Sequence, residues 1–358
     1  QIMEILCAYI RQNAPAPAEN DWPELEMRES EDDGPLEADW EERLKAFREA
    51  QKERKRALKV REDIQVALTV IGRRSARQRR LEAGRGVEAA FPFDAAYPEF
   101  VEPKQDHKAN LRCQLRKAQA EWCASTVGTK CYRLDLRNTD LRGTDLSMLN
   151  FNGVLLAGTF LQGARLCHTR MNGADISGAK LQATDFSGAW LQSAMIWGAR
   201  LQSSILGAAR LHGADIRETQ LQDAMLAQAQ LSGARIWNSC LQGATLRLAL
   251  LHSARLWSVT FGGADLWAAQ FDKETDIRGG TLRGAAIGSV DFTNVPQIAE
   301  HLEGMFGDGS VTLPEGCNWP THWPQHALRP SEFEAEWRKW LVDPDTYTPP
   351  DPPDAAGG

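Results

Sequence analysis

Few residues of this chain are spaced for catalytic or metal chemistry. The nearest approach to a metal pattern is Cys317, His322 and His326. Their C-x4-H-x3-H spacing overlaps that of zinc ligands but lacks a CxxC half. The prolines and tryptophans in and around that segment read more simply as a rigid cap. Cys113, Cys123 and Cys131 show no ligand spacing and read as ordinary thiols. There is no P-loop, GxSxG or HExxH, and the GxxG fragment at Gly279 to Gly284 follows no βαβ pattern. Asp135, Asp175 and Asp215 recur without an acid or base partner, so neither an enzyme nor a cofactor is expected. The remaining chemistry is recognition. Trp197, Trp237 and Trp257 lie at multiples of 20 residues, with Arg217 at the same phase between the first two. Trp267 and Trp190 fall nearby. If the chain coils with that period, these side chains form a column in which an arginine can stack on indole faces.

The period comes from the repeat that must position them. From Leu136 to Phe271 every fifth residue is large and apolar, 28 positions in succession. One residue is then inserted, and the pattern resumes at Ile277, Leu282, Ile287 and Phe292. The register two residues before the large one is mostly small. Of the 27 such positions from Thr139 to Ala269, 16 are Ala. A period of five fits neither a helix nor a plain strand. It fits a square coil whose sides each send one large and one small side chain inward. Glycines two residues after the large position, such as Gly143 and Gly163, mark corners that need positive φ. Four sides make 20 residues, and Leu-Gln recurs at 161, 181, 201, 221 and 241 with that spacing. Stacking would place Gln162, Gln182, Gln202, Gln222 and Gln242 in an amide ladder at a rise of roughly 4.8 Å. Eight coils between 134 and 293 would give a rod roughly 38 Å long. His212 and His252, two coils apart, would be roughly 10 Å from one another, too far to share a metal.

The blocks DLRNTDLRGTDLS, MNGADISGAKLQATDFSGAWLQ and LHGADIRETQLQDA resemble the pentapeptide-repeat family, whose unit is close to A(D/N)LxG. The resemblance implies a right-handed quadrilateral β-helix used for binding, with partners that vary between members. The segments IMEILCAYIRQNAP, REDIQVALTVIGRR and FGDGSVTLPEGCNWPTHWP with FEAEWRKW are similar to the flanks of a bacterial membrane-associated subgroup. That resemblance implies an inner-membrane anchor upstream of Gln1.

The expected fold class is therefore mainly β, a pentapeptide-repeat solenoid of about eight coils with α-helical flanks. The expected divisions are a helical N-terminal region (1–132) with a Pro-rich acidic linker at 13–35, the β-helix (133–293), a helical and Trp/Pro-rich cap (294–345) and a disordered tail (346–358). Helices are expected around 2–10, from Trp40 to Leu58, from Asp63 to Gly72, from Lys108 to Cys123, and at 296–306 and 331–341. Caps are needed because each end of a β-helix bares unpaired backbone N–H and C=O groups. Residues 349–358 should lack structure.

Charge narrows the partners. The chain has a net charge of −7, 42% hydrophobic residues and a mean hydropathy of −0.42. It has no apolar run near the roughly 18 residues that span a bilayer. Gln1 opens an apolar stretch without a basic leader, so no secretory signal is expected there. Seven cysteines without a CxxC pair point to a reducing cytoplasm. Between 133 and 293 there are 15 Lys/Arg and 13 Asp/Glu. The acidic excess sits in the tail, which weakens DNA mimicry, a mechanism that needs a strongly negative face on the rod. The expected function is a protein–protein interaction scaffold at the bacterial inner membrane, facing the cytoplasm. The alternative is a DNA-mimic inhibitor or protector of a type II topoisomerase. Trp197, Arg217, Trp237, Trp257 and Trp267 are the candidate interface, and a flank folding over them is the structural alternative. Arg73, Arg74, Arg77, Arg79 and Arg80 are candidates for anionic lipid. The protein partner is unidentified, nucleic acid is not expected, and the family leaves room for a homodimer.

Overall fold

The computed structural model describes residues 2–25, 40–82, 133–352 and the isolated positions 117 and 121. The helix expected from Lys108 to Cys123, with Cys113, Cys123 and Cys131, lies outside this set, as do residues 26–35 of the expected linker and 353–358 of the tail.

Residues 134–292 wind into a four-sided β-solenoid. Its large side chains, from Leu136 to Phe292, are almost wholly buried in one continuous core, with the alanines two residues earlier beside them. Parallel pairing joins each side to the one 20 residues on. One side runs Asp135, Leu155, Asp175, Met195, Asp215, Arg235, Arg255, Asp276, a ladder of eight rungs with the inserted residue in the last step. On this side alone the backbone stays extended long enough to form a five-stranded parallel sheet. Its strands are β1 (Met195–Trp197), β2 (Asp215–Arg217), β3 (Arg235–Trp237), β4 (Arg255–Trp257) and β5 (Asp276–Arg278).

Local chemistry explains the repeat. The recurrent Asp or Asn accepts a hydrogen bond from the backbone N–H two residues on, as Asp145 does from Ser147 and Asp185 from Ser187, each at 3.0 Å. This is the turn-closing use of a short carboxylate. Threonines in the small register satisfy themselves by donating to core carbonyls, as Thr169 does to Leu146 and Thr184 to Leu161. At the corners the left-handed conformation is adopted by glycine and by 16 other residues, with φ from 48 to 61°. The ladder enforces that conformation even where no glycine relieves it. The inserted stretch closes on itself. Asp272 accepts from the N–H of Ser253, and the single proton of the Thr275 hydroxyl is shared between the Asp272 carboxylate and Leu251 O, each 3.0 Å away. Burial raises the Asp272 carboxyl, but the bond from Ser253 and its other donors outweigh this and leave it below its ordinary value.

The flanks are part of the same body. Helices α1 (Ile2–Asn13) and α3 (Glu62–Gly72) pack on each other and put Met3, Cys7, Ile10, Ile64, Leu68 and Ile71 into the solenoid core. They also occupy the hydrogen bonds that a preceding coil would make. Ala14 O accepts from Asp140 N, Gly72 O accepts from Asn150 N, and Gln65 bridges both backbone groups of Asp145. Residues 14–25, part of the expected linker, lie pinned along the rod. Pro15 bridges Thr139, Asn20 accepts from Gln162, Asp21 pairs with Arg142, and Glu24 pairs with Arg200.

Helix α2 (Trp40–Ala57) lies along the column of corners that follows the Gln ladder. A methyl placed at Gly243 would touch Trp40, and one at Gly163 would lie 3.1 Å from Lys55. Between them Arg48 pairs with Asp223. The span from Trp40 to Leu58 is roughly 27 Å as helix, and five coil steps from 243 to 143 make roughly 24 Å, so the lengths agree. Trp40, Leu44 and Phe47 bury their stripe with Leu25. A short helix α4 (Ala76–Glu82) follows α3.

At the other end a 3-10 helix (Pro296–Gly304) leads to β7 (Phe306–Gly307), which pairs with β6 (Ala286–Ile287). Trp323 closes that end. It is buried, donates to Met305 O, and lies flat on Gly307, where a Cβ would come within 2.7 Å of the ring. Helix α5 (Pro330–Val342) then packs Phe333 and Trp340 on Phe306.

Candidate functional site: a tryptophan–arginine column on the sheet face

The third residues of β1 to β5 are Trp197, Arg217, Trp237, Trp257 and Arg278, in register on one face. The outward slot of each strand stacks on the next at the strand spacing. The Arg217 guanidinium lies 5.0 Å from the Trp197 ring and 4.4 Å from the Trp237 ring, sandwiched between them. Trp237 and Trp257 stack at 4.9 Å with 5° between their planes. Arg278 lies 5.7 Å from the Trp257 ring and Arg255 5.8 Å from it. Carboxylates two residues back orient the cations: Asp215 takes both Nε and NH2 of Arg217, and Asp276 takes Nε of Arg278. Trp257 Nε1 donates to Asp276. The result is a continuous stack in the order ring, cation, ring, ring, cation, in which each side chain is ordered by its neighbours.

Among the described residues no flank covers the column. Trp197 is 42% exposed, while Arg217, Trp237 and Trp257 are half-buried by one another. The fifth candidate departs from the expected site. Trp267 meets Phe333 of α5 edge-on at 4.6 Å, and its ring lies over Gly288. It belongs to the C-terminal cap because the adjacent side of the coil is where α5 docks. A second column, not singled out in the sequence, is Arg170–Trp190–Arg210, with guanidinium-to-ring distances of 5.1 and 4.4 Å. Its signal was available as Arg, Trp and Arg at 20-residue spacing.

The arginine cluster is only partly a surface feature. Arg74 and Arg79 are buried and donate to the carbonyls of Ile71 and Arg74, whereas Arg73 and Arg77 are exposed. Of the five arginines read from sequence as a patch, two are therefore turned inward, and the side chain of Arg80 lies outside the described set. Beside it the outer faces of α1 and α3 expose Ile2, Ile5, Val66 and Val70 at 50 to 69%. Near the C-terminal end, residues Gly279–Gly284, His301, His322, Trp340 and Tyr347 line an open cleft of about 990 Å³. His322 is committed to Met305 O at 2.7 Å and stacks on Trp340. Burial keeps His301 below its ordinary value, so its approach to Glu300 is a contact of a neutral ring. The structure does not bring Cys317, His322 and His326 together as ligands, and the described residues hold no cluster of three or more metal-ligating side chains.

A square coil of five-residue sides, closed by Asx turns and filled by paired large and small residues, defines a class of β-solenoid. The family model for pentapeptide repeats matches residues 128–158, 150–188, 198–233 and 229–267. These matches fall on the solenoid and the residues just before it, so this part of the chain is built of pentapeptide repeats. Solved structures with a similar fold include HetL, a protein involved in heterocyst differentiation regulation in the cyanobacterium Nostoc. It is 22% identical, with 51% of this chain and 86% of that one covered at a TM-score of 0.34. QnrB1, a plasmid-mediated fluoroquinolone resistance protein, is 17% identical over 56% of this chain and 94% of its own, with a TM-score of 0.34. A pentapeptide-repeat protein of the Arabidopsis thaliana thylakoid lumen is 26% identical over 37% of this chain and 77% of its own, with a TM-score of 0.16. No curated protein matches the chain.

Proposed function

We propose that this chain is a non-enzymatic protein–protein interaction scaffold whose partner docks on the Trp197–Arg217–Trp237–Trp257 column. The observation that carries this reading is the column itself: three indoles and two guanidinium groups held rigid on a sheet face that no described flank covers. Trp and Arg are the residues most enriched at interface hot spots, and pre-ordered side chains reduce the entropy lost on docking. Attachment at the cytoplasmic face of a bacterial inner membrane belongs to the same proposal. It is supported by exposed Ile2, Ile5, Val66 and Val70 beside Arg73 and Arg77 on the N-terminal cap.

The rival reading, mimicry of DNA towards a topoisomerase, requires an uncompensated acidic face. Here Asp135, Asp140, Asp215, Asp265 and Asp276 are each paired with an arginine of the rod, which argues against it. The test is a pull-down from detergent-solubilised native cells, comparing the wild type with a variant carrying Trp197→Ala, Trp237→Ala and Trp257→Ala. A partner retained by the wild type and lost by the folded variant supports the scaffold. Equal recovery by both makes the column structural. Inhibition of topoisomerase supercoiling by the wild type would revive the mimic.

A further inference from the structure

We propose that the open face of Trp197, above Ser177 and beside Asp175, is a slot for the guanidinium group of an arginine on the docking partner. The proposal rests on reading the column as an interface and specifies the partner's chemistry at its first rung.

The rod itself contains the template. Asp215–Ile216–Arg217 holds a guanidinium between two rings, with the carboxylate gripping Nε at 2.6 Å and NH2 at 2.8 Å. The same Asp-x-Arg clasp occurs at Asp135–Arg137 and Asp140–Arg142, and at Asp276–Arg278 through Nε alone. One rung before Trp197 stands Asp175–Ile176–Ser177, in parallel register with Met195–Trp197. Asp175 accepts from the Ser177 N–H at 3.0 Å, as Asp135 does from the Arg137 N–H at 3.2 Å. The carboxylate is thus set as in the complete clasps, while the arginine is replaced by a hydroxymethyl group. Among the described residues Asp175 makes no ion pair. Arg137, two rungs away, feels its charge but is held at both nitrogens by Asp135.

The rings agree with this. Trp190 has an arginine on each face, Trp237 has Arg217 and Trp257, and Trp257 has Trp237 and Arg278. Trp197 has Arg217 on one face and meets only Ser177 and then Ala157 at the next two rungs on the other, and it is the most exposed tryptophan of the two columns. A guanidinium at the Ser177 rung would lie roughly one strand spacing from the indole, the separation that Arg217 adopts. It would also face a carboxylate matched to its planar donors. An ammonium cannot make both contacts in one plane, so the slot selects arginine over lysine.

The test uses the full chain with ¹⁵N-labelled indoles, the Trp197 signal being assigned by its loss in Trp197→Phe. It is titrated with acetyl-Gly-Arg-Gly-amide and with the lysine counterpart. The expected result is a saturable shift of the Trp197 signal by the arginine peptide, with the lysine peptide at least about fivefold weaker. Asp175→Asn should weaken the response several-fold. Ser177→Arg should abolish it while leaving the Trp237 signal in place, because the rod then fills its own slot. An unmoved Trp197 signal, an equal response to lysine, or binding undiminished in Ser177→Arg would overturn the slot. The interface reading is judged separately. If Ser177→Arg captures the partner as wild type does while the triple tryptophan variant loses it, the column stands and the slot fails.

Discussion

Arg217 is the residue on which the column depends, because it fills the gap between two rings that are two rungs apart. Without it Trp197 and Trp237 would face each other across roughly 10 Å, too far to stack. Arg217→Ala should therefore destabilise the rod by about 1–2 kcal/mol and increase the accessibility of both indoles. Arg217→Lys should recover less than half of the loss, since an ammonium does not reproduce the planar stack or the two bonds to Asp215. Urea melts with acrylamide quenching of tryptophan fluorescence measure both effects. Equal stability of wild type and Arg217→Ala would mean that the stack contributes nothing. At this scale the sequence was nearly sufficient. The 20-residue phase alone placed Trp197, Arg217, Trp237 and Trp257 together. It misplaced Trp267, because the repeat says where a side chain leaves the rod but not what lands on it.

The elements added to the rod are where the sequence was least informative. Helix α2 is legible as a helix from Trp40 onward, yet its seat is fixed by contacts such as Arg48 with Asp223, 175 residues apart. It sits beside Gln162, Gln182, Gln202 and Gln222, which are buried in register, but the expected amide ladder does not form: Gln162 donates to Asn20 and Gln202 to Gln220. Leu44→Ala with Phe47→Ala should release α2 at a cost of about 4–8 kcal/mol in total, while the coils remain formed. Amide exchange should then rise across residues 40–57 and stay slow at Leu181 and Leu201. Fast exchange in the coils would show that α2 holds the rod together. The α1–α3 clasp makes a pH prediction. Hydrogen bonds from Arg61 and then Tyr9 pull the Asp63 carboxyl down to about 2 from its ordinary 3.8. A depressed carboxyl stabilises the fold above its unfolded value and loses that contribution as pH falls through the folded one. The difference in melting temperature between wild type and Asp63→Asn should be full above about pH 4 and close towards pH 2. A difference that persists undiminished at pH 2 would contradict the clasp.

At the scale of the whole molecule, the chain is a rod with both ends closed by its own flanks. The need for caps was legible from the physics of open strand edges. Which residues supply them was less so, since Gln65 and Gly72 belong to a helix and still take the place of a preceding coil. Gly72 is the point of closest approach: a Cβ there would lie 2.6 Å from Leu149 Cβ. Gly72→Ala should therefore cost about 1–3 kcal/mol and lift α3 from the first coil. The bared edge should then pair with another copy, so the variant should become concentration-dependently larger in sedimentation velocity. A monomeric variant of normal stability would show that the close approach is relieved elsewhere. The acidic segment with Asp21 and Glu24 lies on Arg142 and Arg200, which accounts for part of the rod's basic balance within the chain itself.

The central claim is that the rigid Trp–Arg column is the surface a partner covers. Hydroxyl-radical footprinting of the full chain, alone and with the protein recovered in the pull-down, tests it most directly. In the free chain Trp197 should be the most oxidised of the column, with Trp237 and Trp257 intermediate and the buried Trp323 protected. On adding the partner, protection should appear at Trp197, Trp237 and Trp257 and leave the N-terminal cap unchanged. Protection confined to α1, α3 or the C-terminal cleft, with the column as reactive as before, would contradict the account.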